Sequence, residues 1–349
     1  MLSILPIDIG DCMPDFRLTD VRHRQMSLYS LALGKPVVVL CYPNNRTAVV
    51  QDVVRSFAEA NDRLAERANV FSISGEVPEE NIRFTNQMKL PFPLLSDPDH
   101  KILSFFENRR KALDGEAWAH NGALVCVVTD PNRRIKKIYQ DMSDPGHVEE
   151  VLQFLDLLPR DESRVIGRHA PVLLVPQVFD QETCQRLIRL YEEEKRPLTD
   201  VTAGQRGSKA HVANRELKVR RDFFISDPGI AREIGELFGR RVIPEMMKAF
   251  DFKATRFEKL RIGCYDTSDG GLFGPHRDNV DPTGGRRFAM SLNLNAGEYE
   301  GGHIRFPEYG SGLYLPATGD ALMFSSLLVH EAMPVTAGRR FVLVTFFRV

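Results

Sequence analysis

A chain of 349 residues suits two domains of ordinary size, and with 43% hydrophobic residues each half can bury its own core. Its 46 basic and 47 acidic side chains nearly cancel, to a formal net charge of -1, which excludes a whole-chain pull toward nucleic acid or an anionic membrane. The opening MLSILPIDIG lacks the basic start of a signal peptide, and no stretch has the length of a membrane span. Cys12, Cys41, Cys126, Cys184 and Cys264 are few, odd in number and scattered, so a disulfide framework is not expected. The reading is a cytoplasmic protein with no nucleic-acid and no membrane partner.

The first half alternates strand and helix patterns. Pro36 to Tyr42 is a continuous apolar, β-branched run that predicts a buried strand. Val50 to Ala68 carries Val53, Val54, Phe57 and Leu64 at helical spacing. A strand over Val70 to Ser74 and a helix over Glu79 to Lys89 follow. Ala123 to Thr129 predicts a second buried strand, Asp130-Pro131-Asn132 a turn, and Val148 to Leu158 a closing helix. Such alternation predicts an α/β domain around a mixed sheet over residues 1–158. The polar stretch 159–169 reads as a linker, and residues 170–349 as a second domain.

The second half opens with helices. Asp180 is an N-cap candidate for a helix through Glu194, and Ile230 to Phe250 predicts another, kinked or split at Pro244. From Lys259 the texture changes to short strands between glycine turns: KLRIGCY, RRFAMSLNLN, GHIRF, ALMFS and RFVLVTFF. The expectation is an α+β domain with a double-stranded β-helix, or jelly-roll, core.

Three residues stand out chemically. In a strand, His276 and Asp278 point to the same side, so an imidazole and a carboxylate converge. His330 closes the strand-like run DALMFSSLLVH and can sit across the same core. Two histidines and one carboxylate on one face of a metal leave three positions open, a set that suits Fe(II) oxygenases. A metal hydrolase using the same three ligands is the alternative. Ten residues beyond His330 stands Arg340, whose guanidinium can bind a terminal carboxylate with two parallel hydrogen bonds. Its neighbour Arg339, facing the opposite way in a strand, is the alternative for that task.

The segment from about Ala170 to Val349 resembles the prolyl 4-hydroxylase-like branch of the Fe(II)/2-oxoglutarate dioxygenases. Tyr265 lies eleven residues before the His276-x-Asp278 pair. The segments Tyr299 to Pro307, Gly319 to Phe324, and His330-x-x-x-Pro334-Val335-x-x-Gly338-x-Arg340 follow in the family's order. The resemblance implies His276, Asp278 and His330 as Fe(II) ligands and Arg340 as the partner of 2-oxoglutarate. It also implies a Tyr265 hydroxyl near the 2-oxoglutarate carboxylates, although a core tyrosine with its hydroxyl paired elsewhere fits the residue equally. Consumption of O2 and 2-oxoglutarate would be coupled to hydroxylation of an aliphatic C–H, with ascorbate as a candidate reductant. The carboxylate of Asp278 points to hydroxylation or a related oxidation, since related halogenases lack it.

Residues from about Gly10 to Leu158 resemble peroxiredoxins, on Met13-Pro14-Asp15-Phe16, Gly34-Lys35-Pro36, Pro43 with Thr47, and Pro91 to Asp97. That resemblance implies a thioredoxin-like fold. The reactive cysteine expected three residues after Thr47 is Val50, and the arginine expected near the start of the Ala123 strand is missing. No thiol peroxidase activity is expected. A scaffold, substrate-recruiting or homodimerising role is expected instead.

The chain thus reads as an Fe(II)- and 2-oxoglutarate-dependent hydroxylase of a prolyl or other residue in a peptide or protein. A hydroxylase of a free amino acid or other small molecule, and a non-catalytic binding or scaffold protein, are the alternatives. Arg286, Arg287 and Asn293 receive no role.

Overall fold

The computed structural model describes residues 7–32, 34–107, 124–159, 165–193, 201–202, 211–212, 218–278 and 285–349. The chain divides into two compact units, Met1–Ser163 and Arg164–Val349.

The first unit is built on a seven-stranded mixed sheet. Its elements are β1 (Arg17–Asp20), β2 (Gln25–Ser27), α1 (Leu28–Ala32), β3 (Val37–Tyr42), α2 (Ala48–Glu59), α3 (Asn61–Ala65), β4 (Asn69–Ser74), α4 (Pro78–Met88), β5 (Leu94–Ser96), β6 (Leu124–Thr129), β7 (Ile135–Met142) and α5 (His147–Leu157). Strand order is β2-β1-β5-β4-β3-β6-β7. Strand β4 runs parallel to both β3 and β5, whereas β6 is antiparallel to β3. Every residue of β3 and β6 is buried, because cores lie on both faces of the sheet. One core gathers Leu40, Val53, Phe57 and Leu155, and the other Val39, Phe71, Leu95 and Ile135.

The structure corrects two boundaries here. The helix expected over Val50 to Ala68 is two helices. Ala60 leaves helical geometry (φ -87°, ψ 4°), and its N–H turns back to the carbonyls of Ser56 and Ala58. The strand expected from Ala123 is described from Leu124 onward; Ala123, with the place of the expected arginine, lies outside the described residues.

The second unit comprises β8 (Val172–Val175), α6 (Gln181–Glu192), β9 (Val201–Thr202), β10 (His211–Val212), β11 (Lys218–Val219), β12 (Arg221–Phe224), α7 (Pro228–Arg241), α8 (Ile243–Phe250), β13 (Arg256–Phe257), β14 (Arg261–Asp266), β15 (Leu272–His276), β16 (Phe288–Asn293), β17 (Tyr299–Gly301), β18 (Ile304–Arg305), β19 (Leu313–Tyr314), β20 (Ala321–Ser325), β21 (His330–Ala332) and β22 (Val335–Arg348). The expected N-cap of α6 is present: the Asp180 carboxylate accepts from the Thr183 N–H at 2.7 Å. The expected break before Pro244 falls at Val242, where α7 ends and α8 begins with Pro244 in its first turn.

Two antiparallel sheets position the site. The larger runs β12-β14-β22-β16-β20-β8, and the smaller β11-β15-β21-β18-β19. Alternation sorts the side chains of the larger sheet. Ile262 and Cys264 of β14, Phe341, Leu343 and Phe347 of β22, and Met290 and Leu292 of β16 join one core with Leu187, Ile234, Phe238 and Met246 from the helices. Burying each such large apolar side chain contributes about 1.5–3 kcal/mol. The alternate residues, among them Tyr265, Val342, Val344, Ala289, Leu322, Phe324 and Phe346, belong to separate clusters that also take in Ala332 and Ile304 of the smaller sheet. Buried polar groups, among them Arg340 and the Tyr265 hydroxyl, lie on that second side, which is termed the chamber.

Candidate metal centre and its surroundings

His276 and His330 are direct cross-strand partners in the antiparallel pair β15–β21, and their ring centroids are 4.2 Å apart. Strand β15 ends at His276, so Asp278 lies beyond it, not in the strand as expected from spacing. Its place is fixed instead by its N–H, which donates to the Ser326 carbonyl at 3.1 Å. His330 opens β21 where closure of a strand was expected. The run before it is broken by a turn in which the Leu328 N–H donates to the Ser325 carbonyl.

One ligand atom from each of His276, Asp278 and His330 falls within 4.8 Å of the other two. His276 Nε2 lies 3.6 Å from Asp278 Oδ1, and His330 Nε2 lies 3.3 Å from Oδ2. Each Nδ1 faces a backbone carbonyl, that of Gly274 at 2.8 Å for His276 and that of Leu328 at 3.1 Å for His330. A carbonyl can only accept, so each Nδ1 carries the hydrogen and each Nε2 directs its lone pair at the shared centre. Burial pushes the His330 pKa down, against the raising effect of Asp278. Burial works against the Asp278 carboxylate, but the adjacent His276, His330 and Arg286 outweigh it and hold its pKa below the ordinary value. The donor set is two imidazole nitrogens and one carboxylate, which fits a divalent first-row metal with open positions.

Arg340 and Arg339 separate cleanly. Arg339 is on the outer face and pairs with Glu192 at 2.7 Å. Arg340 is 1% exposed, and its Nε is buried with no hydrogen-bond partner. No described carboxylate lies within ion-pair distance of it. Its guanidinium sits 5.3 Å from the Tyr265 ring, its cross-strand neighbour. Gly302, at φ +64°, leaves room for it: an added Cβ would stand 2.8 Å from Arg340 Cδ. A buried, unsatisfied guanidinium is costly unless an anion joins it, which is what a carboxylate-bearing cosubstrate would do.

Tyr265 also receives a hydrogen bond on its hydroxyl, from Arg220 at 3.1 Å. Arg220 lies where the chain passes from β11 to β12, and the Asp222 carboxylate accepts from it at 2.5 and 3.0 Å. Lys218 donates to the same carboxylate at 3.1 Å, and both cations lie against the Phe273 ring. Phe273 in turn stacks on His276 at 3.6 Å between centroids. Burial and Arg220 push the Lys218 pKa down to about 8, overriding Asp222. Sequence reading missed Lys218, Arg220 and Asp222, although three cations flanking an aspartate in KVRRD was a visible irregularity. It gave Arg286 no role. That side chain is gripped by Glu258 at 2.7 and 2.8 Å and donates to the Asp278 carbonyl at 3.2 Å, steadying a metal-ligand candidate. Arg287 donates its backbone N–H to Phe347, and Asn293 joins the Tyr299 hydroxyl to the Pro316 carbonyl.

In the first unit, Val50 is fully buried in the first turn of α2, and its N–H donates to the Thr47 hydroxyl at 3.4 Å. Cys41 and Cys126 are buried in adjacent strands, and burial raises both thiol pKa values. Neither meets the conditions of a reactive thiol.

The fold and the site define a chain with a thioredoxin-like first domain and a second domain that carries a His-Asp-His candidate metal centre. It belongs to the AhpC/TSA family through residues 9–140, a thioredoxin-like, peroxiredoxin-like domain, and its residues 260–348 match the family model of the 2OG-Fe(II) oxygenase superfamily. The second family implies Fe(II) and 2-oxoglutarate. Its first unit is similar to the chloroplastic peroxiredoxin Q of Sedum lineare, 30% identical over 43% of this chain and 78% of the relative. Peroxiredoxin Bcp of Escherichia coli is 28% identical over 43% of this chain and 96% of its own length. The chain spans 65% of the length of the Gentiana triflora peroxiredoxin Q it matches. Among solved structures, peroxidoxin BcpB of Mycobacterium tuberculosis aligns with a TM-score of 0.39 and 23% identity, over 44% of this chain and 99% of that one.

Proposed function

We propose that the second unit is a hydroxylase that consumes 2-oxoglutarate and dioxygen, with Fe(II) held by His276, Asp278 and His330 in a jelly-roll core. The observation that carries this reading is the pairing of an open-sided His-Asp-His set with Arg340, a buried guanidinium that has no described carboxylate partner. A hydrolase needs the metal but not the guanidinium.

Fe(II) bound there would supply the chemistry that couples oxidation of 2-oxoglutarate, to succinate and carbon dioxide, to oxidation of an aliphatic C–H bond. The chain's own residues bind and orient. Arg340 takes the distal carboxylate of 2-oxoglutarate in a two-point contact, with the Tyr265 ring beneath and its hydroxyl turned to Arg220. The Gly274 and Leu328 carbonyls keep both imidazoles in the metal-binding tautomer, and Arg286 keeps the Asp278 backbone in place. Phe273, Phe306 and Phe324 wall the histidines and keep bulk water away. The first unit, with Val50 where a peroxidatic thiol belongs, serves as a recruiting or dimerising module.

The test is anaerobic titration of metal-free protein with Fe(II), then measurement of succinate on admitting O2 with 2-oxoglutarate. One tight site per chain and metal-dependent succinate are expected. Tight Fe(II) binding retained in His276→Ala together with no succinate from the native protein would refute the proposal.

A further inference from the structure

The chamber holds a second guanidinium that 2-oxoglutarate does not account for. Arg261 begins β14 on the face that also carries Tyr265, and in the β14–β22 register it stands opposite Val344 while Tyr265 stands opposite Arg340. Four residues of strand put Arg261 about 13 Å along the sheet from the Arg340 end. Its guanidinium is set between two rings, 5.6 Å from Phe224 and 5.2 Å from Phe346. Phe346 also carries Arg286, 3.8 Å away, which donates to the Asp278 carbonyl, so Arg261 belongs to the Asp278 side of the metal centre.

Its neighbours hold carboxylates at ion-pair distance, whereas Asp222 and Asp278 act on Arg261 only from farther away. Arg220 has Asp222, while Arg286 and Arg348 share Glu258. Among the described residues Arg261 has no carboxylate within ion-pair distance, and its Nε is buried without a hydrogen-bond partner. Two aromatic faces hold the group but give its N–H donors no acceptor, and a desolvated donor left unmade is expensive. Partnerless arginines thus stand at both ends of one strand pair, with the metal ligands on the chamber side. One end suits the cosubstrate; the other lies beside Arg286 and the backbone of Asp278.

We infer that the primary substrate carries a carboxylate and that Arg261 binds it, making Arg261 a specificity-determining residue. The inference rests on the oxygenase reading and deepens it: the planar fork of a guanidinium matches a carboxylate in two parallel hydrogen bonds. A phosphate ester offers similar oxygens and is a separate arm of the test. A neutral prolyl residue within a polypeptide offers Arg261 only single carbonyl acceptors, without the charge and paired oxygens of a carboxylate.

The experiment uses the full chain loaded with Zn(II) in place of Fe(II) and saturated with 2-oxoglutarate, so that binding is read by calorimetry without turnover. The probes are free L-amino acids, their N-acetyl derivatives, the primary amides of both, and phosphoserine and phosphothreonine amides. Acids are expected to bind about tenfold or more tighter than their amides, as one charge-assisted contact predicts. Arg261→Met should erase that preference and Arg261→Lys keep part of it. Acids and amides binding alike, no acid binding below about 10 mM, preference for the phosphorylated amides, or an unchanged preference in Arg261→Met would each overturn the inference. The Fe(II)–2-oxoglutarate absorption band, recorded on the same variants, separates the two readings. Its presence in native protein and in Arg261→Met with no acid preference sinks only this inference, whereas its absence in native protein sinks the oxygenase reading on which it rests.

Discussion

Arg340 lies directly across the β14–β22 pair from Tyr265, with its guanidinium 5.3 Å from the tyrosine ring, while Arg339 points outward to Glu192. One step along a strand thus divides a buried cation awaiting an anion from a surface ion pair. Arg340→Met should weaken 2-oxoglutarate binding by about thirtyfold or more, since a buried charged contact is worth roughly 2–5 kcal/mol. Arg339→Met, which breaks an exposed pair worth about 0–1 kcal/mol, should change it about twofold or less. Equilibrium binding to the Zn(II)-loaded protein distinguishes the two, and equal effects would contradict the assignment.

Gly302 tests the same contact from the other side. Its φ is +64°, and a Cβ added there would stand only 2.8 Å from Arg340 Cδ, so alanine has no room. Gly302→Ala should cost about 1 kcal/mol in backbone strain and raise KM for 2-oxoglutarate roughly tenfold. An unchanged KM would mean that Arg340 need not hold its position.

Lys218 gives the chamber a pH signature. Its folded pKa is pushed down to about 8 from 10.5, chiefly by burial and Arg220. Between those values the unfolded chain binds the proton and the folded one does not, so this lysine makes stability rise with pH across that window. Below pH 8 both states are charged and the penalty is fully present. Subtracting the denaturant-unfolding curve of Lys218→Met from that of the native protein isolates the effect. The difference should shrink from pH 8 toward 10; a flat difference would show that Asp222 compensates the charge fully.

The first unit should be inert as a thiol peroxidase. Burial raises the thiol pKa values of Cys41 and Cys126, and pushes those of Cys184 and Cys264 up to about 12 and about 11. At pH 8 these four should react with a disulfide reagent only after denaturant is added, and hydrogen peroxide with dithiothreitol should be consumed no faster than without protein. Catalytic turnover of peroxide would contradict the account.

How much of this was legible from sequence depended on whether a residue's role is local. His276, His330 and Arg340 sit in spaced motifs, and the outward turn of Arg339 follows from strand alternation alone. The turn before His330 was hidden because Ser325 and Ser326 are flanked on both sides by apolar residues, with no glycine or proline to mark a break. For the same reason Ala60 gave no sign of ending α2. The chamber cations were invisible for a different reason. Lys218, Arg220 and Arg261 lie in no spaced motif, and only the pairing of β12 with β14 and of β11 with β15 brings them beneath the rings of Tyr265, Phe273 and Phe346. Long-range register, not composition, turns a basic segment into a buried site.

The most direct measurement is the visible absorption of anaerobic protein given Fe(II) and then 2-oxoglutarate, with His276→Ala and Arg340→Ala beside it. A charge-transfer band in the native protein, lost in His276→Ala and needing far more 2-oxoglutarate in Arg340→Ala, is the predicted result. No band in the native protein under any ratio of the two would contradict the oxygenase account and leave a binding or scaffold role as the better one.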